Sequence, residues 1–115
     1  MAYWYQLKRR DIKLMIDEIC ATNAYFQFED GTDVAPPFCC YYFPDDGFFF
    51  ADNSNMARIG HLVIEIYTAH KDFTLDRTAE IVLKSYGLTF TRDEAYINDE
   101  KLYMSTFYAD VLIED

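Results

Sequence analysis

Apolar positions along this chain follow two helical periods and several alternating, strand-like ones. Ile12, Met15, Ile16 and Ile19 recur at i, i+3, i+4 and i+7, the spacing of one helix face. With Lys8, Arg9, Lys13 and Glu18 on the other sides, they predict a helix over roughly residues 5–21, preceded by the aromatic start Tyr3-Trp4-Tyr5. A second helix follows Asp72 or Thr74, either of which can cap it, and runs to about Tyr86. Leu75, Ala79, Val82, Leu83 and Tyr86 form its apolar face, and Gly87 is a natural stop.

Between and after the helices lie β-type runs. Ala24–Phe28 precedes the turn signal Glu29-Asp30-Gly31, and Pro36-Pro37 introduces Phe38–Phe43. Pro44-Asp45-Asp46-Gly47 reads as a tight turn into Phe48–Ala51, so residues 38–51 are expected to form a hairpin, followed by a polar loop over 52–58. His61–Thr68 alternates clearly, with Leu62, Ile64 and Ile66 on one side. Leu88–Arg92 and Leu102–Ile113 close the chain as strands. The last is apolar on both sides. Tyr103, Phe107, Val111 and Ile113 share one face; Leu102, Met104, Tyr108 and Leu112 share the other, interrupted by Thr106 and Asp110. One face must pack on the helices, and the other is covered within the monomer or meets a partner. The element order gives an α+β fold, a mostly antiparallel sheet with two helices packed on it, in a single domain spanning residues 1–115.

Composition sharpens this picture in two ways. Aromatic residues make up 18% of the chain, ten Phe, ten Tyr and one Trp, more than one small core easily buries. Tyrosine is favoured where a ring packs and its hydroxyl stays wet, as at protein–protein surfaces. The net charge of −10 is unevenly spread. Lys8, Arg9, Arg10 and Lys13 outnumber Asp11, Asp17 and Glu18 in residues 1–22, whereas residues 93–115 hold seven acids and only Lys101 as a cation. So acidic a chain repels a phosphate backbone, which argues against ordinary nucleic-acid binding. Three cysteines, Cys20, Cys39 and Cys40, with no signal peptide argue against a disulfide framework and make the cytoplasm the expected compartment. No apolar run approaches the ~20 residues of a membrane span.

A search for catalytic chemistry yields none. His61 and His70 are the only histidines and belong to no nucleophile–base pattern. Adjacent Cys39 and Cys40 point to opposite faces of a strand, and no Cys-x-x-Cys or His-x-x-x-His spacing brings ligands round a metal ion. Asp52–Asn55 lacks the glycine and terminal glutamate of a calcium loop. Asp45-Asp46 is explained by a turn, and no glycine-rich loop precedes a helix to cradle phosphate. No catalytic residue, cofactor or metal is therefore expected.

Three stretches, taken in order, carry a resemblance. They are Pro36-Pro37 with the aromatic strand leading to Phe48-Phe49-Phe50-Ala51-Asp52-Asn53; Val63-Ile64-Glu65-Ile66-Tyr67-Thr68 with Lys71-Asp72 and the helix after it; and Tyr96-Ile97-Asn98-Asp99-Glu100-Lys101-Leu102-Tyr103 entering the last strand. Together they resemble the small head–tail joining and tail-terminator (tail-completion) proteins of long-tailed, siphovirus-type bacteriophages infecting Gram-positive bacteria. The resemblance implies a subunit assembled in the host cytoplasm into the virion, usually as a homo-hexameric ring on the end of the tail tube. Such a ring touches the tail tube protein and the head–tail connector or neck proteins, and DNA passes its lumen without specific binding. Cys39-Cys40 and Tyr41-Tyr42-Phe43 depart from the pattern. On this reading ring contacts fall on edge strands and loops, at Phe49, Asp52, Asn53, Met56 and Arg58, and on the outer face of the last strand at Leu102, Met104 and Tyr108. Phe48 and Phe50, which alternate away from Phe49, are expected in the core. The alternative is an acidic DNA mimic that inhibits a DNA-binding enzyme, which requires carboxylates spaced like phosphates on one face. A small ligand-binding or enzymatic domain would need convergent polar groups that the sequence does not supply.

Overall fold

The computed structural model describes residues 6–29, 33–44, 46–50 and 56–113; for residues 6, 46–50 and 56–58 the backbone alone is described. In chain order the elements are β1 (Gln6–Leu7), α1 (Arg9–Ile19), β2 (Asn23–Tyr25), β3 (Phe38–Tyr42), β4 (Asp46–Phe50), β5 (Met56–Thr68), α2 (Phe73–Ser85), β6 (Phe90–Ile97) and β7 (Leu102–Ile113). The long strands β5 and β7 lie antiparallel at the centre, from Arg58 opposite Ile113 to Thr68 opposite Tyr103. On the far side of β7 sit antiparallel β6 and, at its end, parallel β1. On the far side of β5 sit β3 and β4, both antiparallel, and β2 adds to β3 in parallel. The fold is α+β, a mostly antiparallel sheet with two helices.

The helices cover one face because that is where the alternating apolar positions point. Leu62, Ile64 and Ile66 of β5 and Phe107, Ala109, Val111 and Ile113 of β7 are buried there with Cys39 and Tyr41 of β3. Against them pack Ile12, Met15, Ile16 and Ile19 of α1, the four positions expected from their spacing, and Ala79 and Leu83 of α2. Just past α2, the Glu18 carboxylate of α1 beside the Tyr86 hydroxyl, and then partial burial, push the Tyr86 pKa up to about 12. α2 starts at Asp72, whose carboxylate accepts the Leu75 N–H at 2.9 Å. It stops in a Schellman motif: Gly87 has φ 78°, its N–H bonds to the Lys84 carbonyl at 2.9 Å, and the Leu88 N–H to that of Leu83 at 3.0 Å.

Four expectations need correction. Residues 38–51 are not a hairpin: β3 and β4 run one after the other along the same edge of β5. β3 ends with Tyr42 opposite Val63 and β4 begins with Asp46 opposite Gly60, so three intervening residues face two, the offset of a β-bulge. Pro44, without an N–H, interrupts the ladder without reversing it. Second, Met56 to Arg58 belong to β5 and not to a loop, so the reversal falls between β4 and β5. Third, α1 begins at Arg9 and not near residue 5, because Gln6 and Leu7 extend to pair with Leu112 and Ile113. Fourth, the strand expected at Leu88–Arg92 is β6, which runs on to Ile97; its Arg92, Asp93 and Glu94 are the charges an edge strand tolerates.

Candidate assembly surface

The face of the sheet away from the helices is aromatic. Register places Phe38, Cys40 and Tyr42 of β3, His61, Val63, Glu65 and Tyr67 of β5, and Met104, Thr106, Tyr108 and Asp110 of β7 on this side. Their rings pair across the strands and onto the segment after β2. Phe38 stacks on Tyr67 at 4.9 Å, Phe28 meets Phe38 edge to face at 5.6 Å, and Phe26 leans on Tyr42 at 5.3 Å. Such pairs add about 0.5–1.5 kcal/mol each beyond the area they bury. Cys40, Val63 and Thr106 are buried although this face carries neither helix, since the larger side chains beside them in the register shield them.

Polar groups on this face bind one another. Glu65 accepts the Tyr67 hydroxyl at 2.8 Å and the Tyr42 hydroxyl at 3.1 Å. Burial first, and then the bond to Glu65, lift the Tyr67 phenol far above its ordinary value. His61 Nδ1 meets Asp110 Oδ1 at 2.7 Å across the β5–β7 pair. Desolvation first, and then the nearby Asp93 carboxylate of β6, raise the Tyr108 phenol above its ordinary value. The two bonds to Glu65 tie the Tyr42 and Tyr67 hydroxyls to one carboxylate, so the face presents aromatic rings with polar tips.

Of the residues expected to make contacts, Leu102, Met104 and Tyr108 lie together along the open face of β7. Leu102 and Met104 are half-buried and Tyr108 is 42% exposed. Phe49 pairs with Ala57 and Met56 with Phe50, while Arg58 lies between Phe48 and Ile113. These three stand at the opposite end of β5 from Met104, so the expected contact residues form two separate groups. Asp52 and Asn53 lie outside the described residues, as does the loop tip expected there. The side chains of Phe48 and Phe50, expected in the core, are likewise outside the described set.

Sequence reasoning missed an ion cluster between α2 and the sheet. Asp76, buried on α2, accepts Lys71 Nζ at 2.7 Å and Arg92 at 2.9 Å, and it also bonds Ser105. Glu94 closes the ring through ion pairs to the same Lys71 and Arg92. Burial pushes the Asp76 carboxyl up, but the bonds from Lys71, Ser105 and Arg92 together hold it below its usual value. The cluster ties the start of α2 to β6 and β7. Nothing local in the sequence announces it, because its members are scattered over 71–105 and meet only through the topology.

The remaining reactive groups are quiet. Burial pushes the Cys39 thiol far up, and raises those of Cys20 and Cys40, so all three stay protonated and poorly nucleophilic. Among the described residues no three His, Cys, Asp or Glu side chains converge as metal ligands do, and no helix is long and apolar enough to cross a membrane. No protein-family model matches the chain, and no curated protein matches it. Among solved structures, the fold is similar to that of a chain from the virion of a native gene transfer agent particle. The likeness covers 90% of this chain and 88% of that one, with a TM-score of 0.51 and 14% sequence identity.

Proposed function

We propose that this chain is a structural assembly protein of a phage-type virion, which caps the tail tube and joins tail to head as a ring, by the resemblance a hexamer. The observation that carries the reading is the likeness in fold, over nearly the whole of both chains, to a subunit of a virion particle. The surface supports it. An aromatic sheet face with Tyr108 exposed, and Phe26 60% exposed beside it, is the kind of patch that subunit contact buries. Its partners are then copies of itself, the tail tube and the neck, while the acidic balance lets DNA pass without sticking.

The test is mass by light scattering, for the protein alone and with purified tail tubes of its phage. A ring, or stoichiometric capping of tube ends, is expected. Tyr108→Asp should keep the fold, because the side chain is half outside, and should weaken capping of the tube ends. A monomer that ignores tubes and instead binds a DNA-processing enzyme would overturn the reading in favour of an acidic DNA mimic. Against that alternative, Asp17, Asp76, Glu94 and Asp110 are each paired with a basic side chain and not displayed as an array.

A further inference from the structure

The two ends of the central β5–β7 pair differ in chemistry. At one end Leu7 pairs beside Ile113, and the chain turns at once into Lys8, Arg9 and Arg10, all exposed. The nearest acid in sequence, Asp11, is engaged by the Lys8 N–H at 2.9 Å. At this same end the β4–β5 pair overruns β7: Met56 and Ala57 pair with Phe50 and Phe49 and, among the described residues, with no other strand. The outer edge of β4 is also unpaired among the described residues, yet after Asp46 the strand has no charge and carries three consecutive phenylalanines. Sheets ordinarily blunt a free edge with charge or proline, as β6 does with Arg92, Asp93 and Glu94. Among the described residues β4 has no such protection beyond Asp46 at its start.

At the other end Tyr103 stands opposite Thr68, and the β6–β7 turn exposes Asp99 and Glu100 with one cation, Lys101, beside them. Beside it an open groove of about 480 Å³ is walled by Phe73, Tyr96, Tyr103 and Met104. Phe73 is 73% exposed, the most of any large apolar side chain described, and Tyr96 is 47% exposed against Tyr103. Lys71 lies over the Phe73 ring at 5.2 Å, but its charge is already taken by Asp76 and Glu94. Among the described residues, one end thus offers three exposed cations beside an apolar strand with a free edge, and the other offers two exposed carboxylates against one cation beside an open aromatic groove.

We infer that copies of this chain join head to tail, the Lys8–Arg10 segment and β4–β5 arm of one copy seating on the Asp99–Glu100 turn and the Phe73–Tyr96–Tyr103 groove of the next. The inference rests on the proposed ring-forming role and adds which two surfaces meet. Charge selects the occupant: like ends repel and unlike ends attract, so a second copy docks in one polarity only. A contact between two different patches is heterologous, and it closes into a ring when the rotation between copies permits.

Charge reversal tests this directly. Lys8→Glu/Arg10→Glu leaves Arg9 over the Phe43 ring, and Asp99→Lys/Glu100→Lys changes only an exposed turn; circular dichroism checks that each variant is folded. Sedimentation velocity, with and without tail tubes, should show each variant alone associating about tenfold or more weakly than wild type. Mixing the two in equal amounts should restore assembly, because each then offers the charge its neighbour lacks. Phe73→Asp should block assembly by itself. Variants that assemble like wild type, or a loss that mixing does not restore, would overturn the head-to-tail contact while leaving the ring role intact. A wild-type chain that stays monomeric even on tubes would overturn both.

Discussion

Gly60 lies in β5 under Phe43 and Ile113, where a side chain has no room. A Cβ built there would come within 2.5 Å of Ile113 Cδ1 and 2.7 Å of the Phe43 ring. Both neighbours have to shift, so Gly60→Ala should cost roughly 1–3 kcal/mol through overpacking, read as a lower urea midpoint with an unchanged slope. Asp76 makes a different demand on its surroundings. Its carboxyl sits below its ordinary value, burial opposing and the Lys71, Ser105 and Arg92 bonds winning. Protons therefore bind the unfolded chain more readily, and the stability this acid contributes is whole above the ordinary carboxylate value and lost as pH falls through the folded one. Asp76→Asn should lower stability by about 2–3 kcal/mol at pH 7, less than for a wholly buried pair because Lys71 and Arg92 are 23% and 29% exposed. The difference from wild type should shrink below about pH 4, and urea titrations at pH 7 and pH 3 would measure it. A gap that stays constant with pH would mean the ion cluster contributes nothing as a charge.

At the scale of elements, α2 shows how much a short motif decides. Gly87 terminates it at φ 78°, a left-handed value that costs a residue with a Cβ about 1 kcal/mol, so Gly87→Ala should lower the midpoint by that amount. Asp72→Ala, which frees the Leu75 N–H, should cost about 1 kcal/mol as well. The Gly87 stop was legible in the sequence, and Asp72 as one of two candidate caps with Thr74, because capping is local: donor, acceptor and turn lie within a few residues. The buried faces of α1 and β7 were legible for the same reason, their period being written into Ile12, Met15, Ile16 and Ile19 and into Phe107, Val111 and Ile113. Pairing is not local, and there the reading failed. Pro44-Asp45-Asp46-Gly47 has the chemistry of a turn and equally that of a bulge; only β5, lying opposite both β3 and β4, decides which. The candidate surface follows the same division. Leu102, Met104 and Tyr108 could be named from alternation, whereas their neighbours Tyr42, Glu65 and Tyr67 required the register of three strands.

For the whole molecule, the governing quantity is charge. With a net charge of −10, the chain repels a polyphosphate over a distance set by screening, about 10 Å at 0.1 M salt. Among the described residues, Lys8-Arg9-Arg10 is an exposed run of three consecutive cations, the arrangement best suited to hold a phosphate. If head-to-tail contacts cover that segment with the acids of the next copy, the assembled form loses even this foothold. The monomer should then show at most weak retention on a duplex DNA column, abolished by about 0.1–0.2 M salt, because about three phosphate contacts give little affinity to begin with. The assembled form should pass such a column unretained at salt low enough to hold the monomer. Lys8→Glu/Arg10→Glu should remove the monomer's retention as well, which ties the effect to that segment and not to the fold. Assemblies that bind duplex DNA more tightly than monomers would mean that assembly gathers cations instead of covering them. That outcome would contradict both the proposed contact and the proposed passage of DNA through the ring.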